Sequence, residues 1–233
     1  MLTIYGIFAS RAVRPLWAAQ ELGLSYTHVP TPYQGGATRT PEFLALNPNG
    51  HIPVLVDERP EGRVVVWESM ACALYLARHH GRGDGSDIAP ANPAEDAEAL
   101  RWAFWAMTEL ETDALAVLMH RIGLPPQRRD AGRLAVAEQR LRGPLGVLDA
   151  HLARQAEHGC AYLAAERFTI ADLCVACVAN WTRPSHELMH AFPHVHAWVQ
   201  RCHARPAYQT LKAADKAAAA ASPERTAPSS VAG

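Results

Sequence analysis

Ser10 stands between a short apolar run, Leu2-Thr3-Ile4-Tyr5, and a segment in which Val13, Leu16, Trp17 and Leu22 recur near helical spacing before Gly23. A hydroxyl at such a seam lies by the helix end where unpaired N–H groups collect, a place that suits an anion such as a thiolate. Pro15 falls about one turn into a helix begun at Ser10 and would remove its bond to Arg11. Ser10 is therefore either the N-cap or a residue of the turn just before the helix, and by itself it reads as an ordinary cap. Glu68-Ser69 also precedes a helical pattern, with Ser69 as its N-cap, and a helix N-terminus is a ready anion site. Ile52-Pro53 closes a turn-rich stretch, Asn47-Pro48-Asn49-Gly50-His51. An X-Pro bond is the one place where a cis peptide is cheap, at roughly 0.5–1 kcal/mol.

Two further motifs fit chemistry in spacing but not in context. His186-Glu187-Leu188-Met189-His190 matches the HExxH zinc pattern, with His194 and His196 close behind. Pro184 and Pro193 bracket it, leaving barely two turns of helix, so the match reads as chance, and no metal is expected. Cys174-Val175-Ala176-Cys177 sits inside an apolar helical run, where both cysteines read as small buried hydrophobes.

The elements that must position these residues fall into two halves. The first reads strand, helix, strand (Tyr26 to Val29), a short helix opened by Thr40-Pro41 and ending near Leu46, then two β-rich runs, Pro53 to Val56 and Val64 to Trp67, around a longish loop from Asp57 to Gly62. A helix from Ser69 to His80 follows, terminated by Gly81. A β-α-β unit followed by a β-β-α unit gives a mixed four-stranded sheet with helices against it, the thioredoxin-like plan. Residues 82–92 form a linker. The second half, 93–212, is all α. Its first long helix opens at Asn92-Pro93, carries Leu100, Phe104, Met107, Leu110, Leu115 and Leu118, and ends at Leu124-Pro125-Pro126. The next runs from Asp130 to about Glu157 with a kink or reset at Gly143-Pro144. Thr169-x-x-Asp172 is a capping box, with aspartate in place of the commoner Glu or Gln, opening a compact apolar helix. Residues 213–233, rich in Ala, Ser and Pro, read as a disordered tail.

Composition narrows the function classes. The 233 residues are 49% hydrophobic with a formal net charge of -1, so no basic field draws the chain to nucleic acid or anionic lipid. No apolar run approaches the roughly 20 residues of a membrane span. The first residues lack a basic stretch followed by an apolar one, so no signal peptide is expected, and five cysteines suit reduced thiols in a cytoplasmic protein better than a disulfide framework.

Taken together, Ser10-Arg11-Ala12-Val13-Arg14, the run Asn47 to Leu55 (NPNGHIPVL), Trp67-Glu68-Ser69 and Phe168-Thr169-Ile170-Ala171-Asp172 resemble the cytosolic glutathione transferases, over Met1 to about Leu211. The resemblance implies glutathione as co-substrate. Ile52 before a cis Pro53 would pair with its cysteine backbone as an added strand. Glu68 would face the γ-glutamyl amine and Ser69 the γ-glutamyl carboxylate. His51 would stand near the glycyl carboxylate, although a solvent-facing turn histidine fits equally. Serine-type members activate the thiol with a serine just after strand one, which is Ser10. Tyrosine-type members use a tyrosine at its end, which is Tyr5. Ser-Arg-Ala-Val-Arg resembles the serine-type register, so Ser10 is preferred and Tyr5 is read as packed on the sheet. No cysteine lies in that turn, unlike in the redox-active relatives, which need a thiol there. The resemblance also implies a homodimer and an electrophile pocket between the halves, for which Trp102, Trp105, Met107 and Thr108 are candidates. The expected reaction is attack of the glutathione thiolate on a small apolar electrophile. Glutathione-dependent peroxidase, dehalogenase or ether cleavage, and a non-catalytic binder, are the alternatives.

Overall fold

The computed structural model describes residues 1–221, and its first half follows the expected order. The elements are β1 (Leu2–Tyr5), α1 (Val13–Glu21), β2 (Thr27–Val29), α2 (Pro41–Leu46), β3 (Val54–Arg59), β4 (Gly62–Trp67) and α3 (Ser69–His80). The sheet order is β2-β1-β3-β4, with β1 parallel to β2 and antiparallel to β3. Side chains alternate along the strands as a period of two requires. Leu2, Ile4 and Leu55 enter the main core with α1 and α3, while Tyr5, Val54 and Val56 form a second cluster with Phe43 and Leu46 of α2. The β3–β4 hairpin is tighter than its sequence suggests. Register continues to Arg59↔Gly62, so the loop is only Pro60-Glu61 and the charged residues 57–59 belong to the strand.

The second half is helical: α4 (Pro93–Trp105), α5 (Glu111–Leu118), α6 (Ala131–Glu157), α7 (Ile170–Ala179), α8 (His186–His190), α9 (Pro193–His203) and α10 (Pro206–Ala221). The side chains of Thr40, Asn92 and Asp130 accept the N3 N–H of α2, α4 and α6 as caps should. Wide π turns at Ala106–Leu110 and Met119–Gly123 join α4 to α5 and close α5. α6 is a single helix that includes Pro144, so the pattern is not reset there. The buried face of α4 and α5 is also rotated from the one the large residues suggested. Ala99, Ala103, Ala106, Leu110, Ala114 and Val117 are buried, whereas Phe104 is 66% exposed. Alanines line this seam because they let α4 approach α7 closely. The helical pattern extends to Ala221, nine residues past the 212 boundary, so residues 213–221 are helix and not tail. The remainder of the expected tail, 222–233, lies outside the described residues.

One continuous core joins the halves. Trp17 of α1 packs against Phe168 and Tyr208, and Arg205 makes a two-bond pair with Glu21 at 2.7 Å. Gly81 ends α3 with φ -78°, not with a left-handed cap. Glycine is needed there for space, since a Cβ would lie 2.3 Å from that of Ala89. No described helix is long and apolar enough to cross a membrane.

Candidate active site

The site forms where β1 ends. Gly6, with φ 137°, turns the chain so tightly that a Cβ there would lie 2.5 Å from Ala12 Cβ and 3.4 Å from Ile52 Cβ. The turn before α1 and the loop before β3 therefore meet at Gly6, and the pairing Tyr5↔Val54 fixes their register. The Ile52-Pro53 peptide bond is cis, as expected. Asn47, 2% exposed, staples the loop that carries it. Its amide donates to the His51 carbonyl at 2.8 Å and its side-chain oxygen accepts the Asn49 N–H at 3.0 Å. The His51 imidazole is exposed.

Ser10 lies in the turn, not at the N-cap, which is Ala12. Its hydroxyl donates to the Ile7 carbonyl at 2.6 Å and accepts the Ala12 N–H at 3.1 Å. To donate to a ligand atom it must release Ile7, at a net cost of about 1 kcal/mol for one hydrogen bond. Tyr5 packs edge-on against Phe43 with ring centroids 6.2 Å apart, in the cluster under α2.

Ser69 is the first residue of α3 and makes no capping bond. Glu68 holds the cap position with φ 71°, a left-handed backbone that non-glycine residues adopt at some cost, and its side chain is exposed. The Ser69 hydroxyl instead accepts from Arg14 at 2.6 Å, which leaves its own proton free to donate. Arg14 is fully buried. Its other terminal nitrogen reaches Glu111 at 2.9 Å, and its Nε has no partner among the described residues. Arg11 donates to the second oxygen of Glu111, and both guanidinium groups lie over Trp181, 5.3 and 5.5 Å from its centroid. One carboxylate thus sits between two guanidinium groups, leaving one unbalanced positive charge beside the Ser10 turn. Phe8 of that turn meets Tyr208 of α10 at 5.5 Å.

The expected residues divide accordingly. Ser10, Ile52, Pro53, Glu68 and Ser69 belong to segments that converge. Trp102 is 5% exposed and packs on Trp105 and His151, so it is helical core and not cleft surface. Trp105 and Met107 are half-buried. Thr108 is exposed, with its hydroxyl turned back to the Phe104 carbonyl. Arg11 and Arg14 were read only as part of the Ser-Arg-Ala-Val-Arg motif, without a role of their own, and Glu111 and Trp181 were not singled out, since no local pattern ties positions 97 apart, as Arg14 and Glu111 are. Outside the site, burial pushes the Cys174 and Cys177 thiols up to about 12, as small apolar residues inside a helix. Among the described residues no three His, Cys, Asp or Glu side chains converge as metal ligands, and α8 spans only His186–His190.

Residues 9–79 match the family model "Glutathione S-transferase, N-terminal domain" and residues 112–206 match "Glutathione S-transferase, C-terminal domain". The chain is 35% identical to glutathione S-transferase 3 of Zea mays, over 91% of this chain and 94% of that protein. It is similar to the structure of a theta class glutathione S-transferase from Xanthomonas axonopodis pv. citri with glutathione bound. That match has 32% identity and a TM-score of 0.75, covering 90% of this chain and 95% of that one. It is also 30% identical to elongation factor 1-gamma of Equus caballus, over 86% of this chain but 44% of that protein.

Proposed function

Because the chain belongs to the glutathione S-transferase family, we propose that it binds glutathione against the Gly6 junction and transfers its thiolate to a small apolar electrophile, a detoxifying type of reaction. Ile52 before cis Pro53 offers its backbone to the cysteine of glutathione. Ser69 and the first N–H groups of α3 receive the γ-glutamyl carboxylate, Glu68 the amine, and His51 the glycyl carboxylate. Ser10 turns its proton from Ile7 to the sulfur. A free thiol has a pKa of about 8.5, and lowering it by about two units takes roughly 2.7 kcal/mol, within reach of one charge-assisted bond and the helix end. The thiolate then attacks the electrophile, a C–S bond forms, and the leaving group departs with its electron pair. Met107, on the α4–α5 side of the cleft, contributes to the electrophile pocket along with Trp105 and Thr108.

The Gly6 junction carries this reading, because one turn brings the Ser10 segment onto Ile52-Pro53. The test is the ultraviolet absorbance of the bound thiolate against pH, in wild type, Ser10→Ala and Tyr5→Phe. A raised thiol pKa is expected for Ser10→Ala and little change for Tyr5→Phe, and the reverse pattern moves the role to Tyr5. With the same site, peroxidase, dehalogenase or ether-cleaving chemistry would show as turnover of those substrates instead.

The match to elongation factor 1-gamma favours one further reading, a glutathione-binding or interaction protein without turnover. Retention on glutathione-agarose with no turnover of any electrophile would select it. The protein acts in the cytoplasm as a homodimer. The dimer reading is supported by apolar surface on both halves: Val65 and Trp67 on edge strand β4 are 37% and 39% exposed, alongside Phe104 on α4.

A further inference from the structure

We propose that Arg11 is an anion anchor for the second substrate, so that the electrophile this site prefers has an aromatic or apolar body bearing a carboxylate or comparable acidic group. The inference deepens the transferase reading, on which it rests for the position of the sulfur. Arg11 follows Ser10 directly. Its Nε is fixed on Glu111, its guanidinium carbon lies 5.3 Å over the Trp181 ring, and its side chain remains 42% exposed. Among the described residues neither terminal nitrogen meets a protein acceptor. Arg78, Arg167 and Arg205 differ, since each closes a two-bond pair with its own carboxylate.

The charge around Arg11 points the same way. Glu111 is shared with the buried Arg14, so it cannot balance both cations. Held at one edge and one face, the Arg11 guanidinium is an organised fork whose outer N–H groups match a carboxylate. The neighbouring groups suit the rest of such a molecule. Trp181 offers an aromatic face below the fork, and Phe8 with Tyr208 borders the same turn. Two surface hollows of about 630 and 400 Å³ lie elsewhere, against the linker and the start of α4. In the larger, Glu95 and Glu98 are already paired with Arg167 and Arg101.

The experiment measures binding without chemistry. With S-methylglutathione present, 3,5-dinitrobenzoate and its methyl ester are titrated against tryptophan fluorescence in wild type, Arg11→Gln, Arg11→Lys and Trp181→Phe. The acid is expected to bind wild type at least tenfold more tightly than the ester. That ratio should fall to about one in Arg11→Gln, recover partly in Arg11→Lys, and Trp181→Phe should lose much of the quenching. Equal affinities for acid and ester in wild type, or a preference that survives Arg11→Gln, would overturn the proposal. So would an Arg11→Gln protein that loses glutathione retention while keeping the acid-to-ester ratio. Turnover is read separately, with 4-chloro-3,5-dinitrobenzoate and chloride release. No release from wild type and no turnover of any other electrophile, alongside an Arg11-dependent binding ratio, supports the anchor and defeats the transferase reading.

Discussion

A terminal nitrogen of Arg14 donates to the Ser69 hydroxyl at 2.6 Å while the other holds Glu111 at 2.9 Å, so one buried side chain ties α1 to both α3 and α5. Removing it leaves the Ser69 oxygen without its donor and Glu111 with Arg11 alone. Breaking a buried pair by deleting one partner costs about 3–5 kcal/mol, and the Arg11 bond keeps the cost near the lower end. Arg14→Met should therefore lose about 3 kcal/mol in urea unfolding and bind glutathione-agarose at least tenfold more weakly. Arg14→Met combined with Glu111→Leu should regain part of that stability, because no orphaned carboxylate remains, yet not the retention. If single and double variants unfold alike, Arg11 alone satisfies Glu111.

What could be read from the sequence was whatever rests on local chemistry. Thr40-Pro41 and Asn92-Pro93 opened helices because a cap followed by proline has one reading, whereas the cis bond at Ile52-Pro53 was legible only through the resemblance of NPNGHIPVL to the glutathione transferases. The misreadings share a cause in tertiary packing. Leu100, Phe104, Leu115 and Leu118 out-ranked the alanines on hydrophobicity, but close helix contact selects small residues, and the seam runs through Ala99, Ala103, Ala106 and Ala114. Ser69 looked like a cap because serine usually is one, and only the arrival of Arg14 from α1 gives its oxygen another partner. Trp102 sat at plausible spacing for a pocket, but the partner helix decides which face is cleft, and His151 of α6 covers it.

His203 lies between Trp17 and Tyr208, with ring centroids at 5.4 and 4.4 Å, and its Nδ1 faces the Val199 carbonyl at 2.9 Å. Burial pushes its pKa down to about 4. The folded protein keeps this imidazole neutral while the unfolded chain takes up a proton below about 6.5, so folding loses stability as pH falls from there towards 4. The loss approaches about 3 kcal/mol, at up to roughly 1.4 kcal/mol per pH unit. His203→Phe keeps an aromatic ring in the stack and should flatten this limb in urea unfolding between pH 7.5 and 4.5. A limb of unchanged slope would assign the acid sensitivity to other groups.

Asp57, at the far end of β3 from the site, shows the opposite balance. Burial pushes its carboxyl up, but Arg59, His80 and Tyr75, bonded at 2.6, 2.8 and 3.0 Å, outweigh burial and hold it below its ordinary value. A depressed carboxyl stabilises the fold fully above the unfolded value near 3.9, and the contribution fades as pH drops through the folded value. Asp57→Asn should cost about 2 kcal/mol at pH 7, the range of a hydrogen bond to a charged group, and less at pH 3. An equal cost at both pH values would show that shape, not charge, matters there.

The sharpest stability test lies at Asp172, where one carboxylate closes the start of α7. One oxygen accepts the Leu163 N–H at 2.8 Å and the Trp198 indole at 3.0 Å, and the other accepts the Thr169 N–H at 2.9 Å and its hydroxyl at 3.0 Å. Asp172 itself is fully buried, so water cannot replace it. Asp172→Ala orphans three N–H donors, and at about 1–3 kcal/mol each the loss should exceed 4 kcal/mol, enough to leave little folded protein. Asparagine keeps one oxygen, but its NH₂ must face two donors on the other side. Asp172→Asn should therefore fall between wild type and Asp172→Ala in urea midpoint. Thr169→Ala removes a hydroxyl that donates to Asp172 and, in the capping box, accepts the Asp172 N–H, and should cost about 1 kcal/mol. If Asp172→Asn were as stable as wild type, the carboxylate charge and its second oxygen would have no part in holding α7, and the motif would reduce to a simple cap.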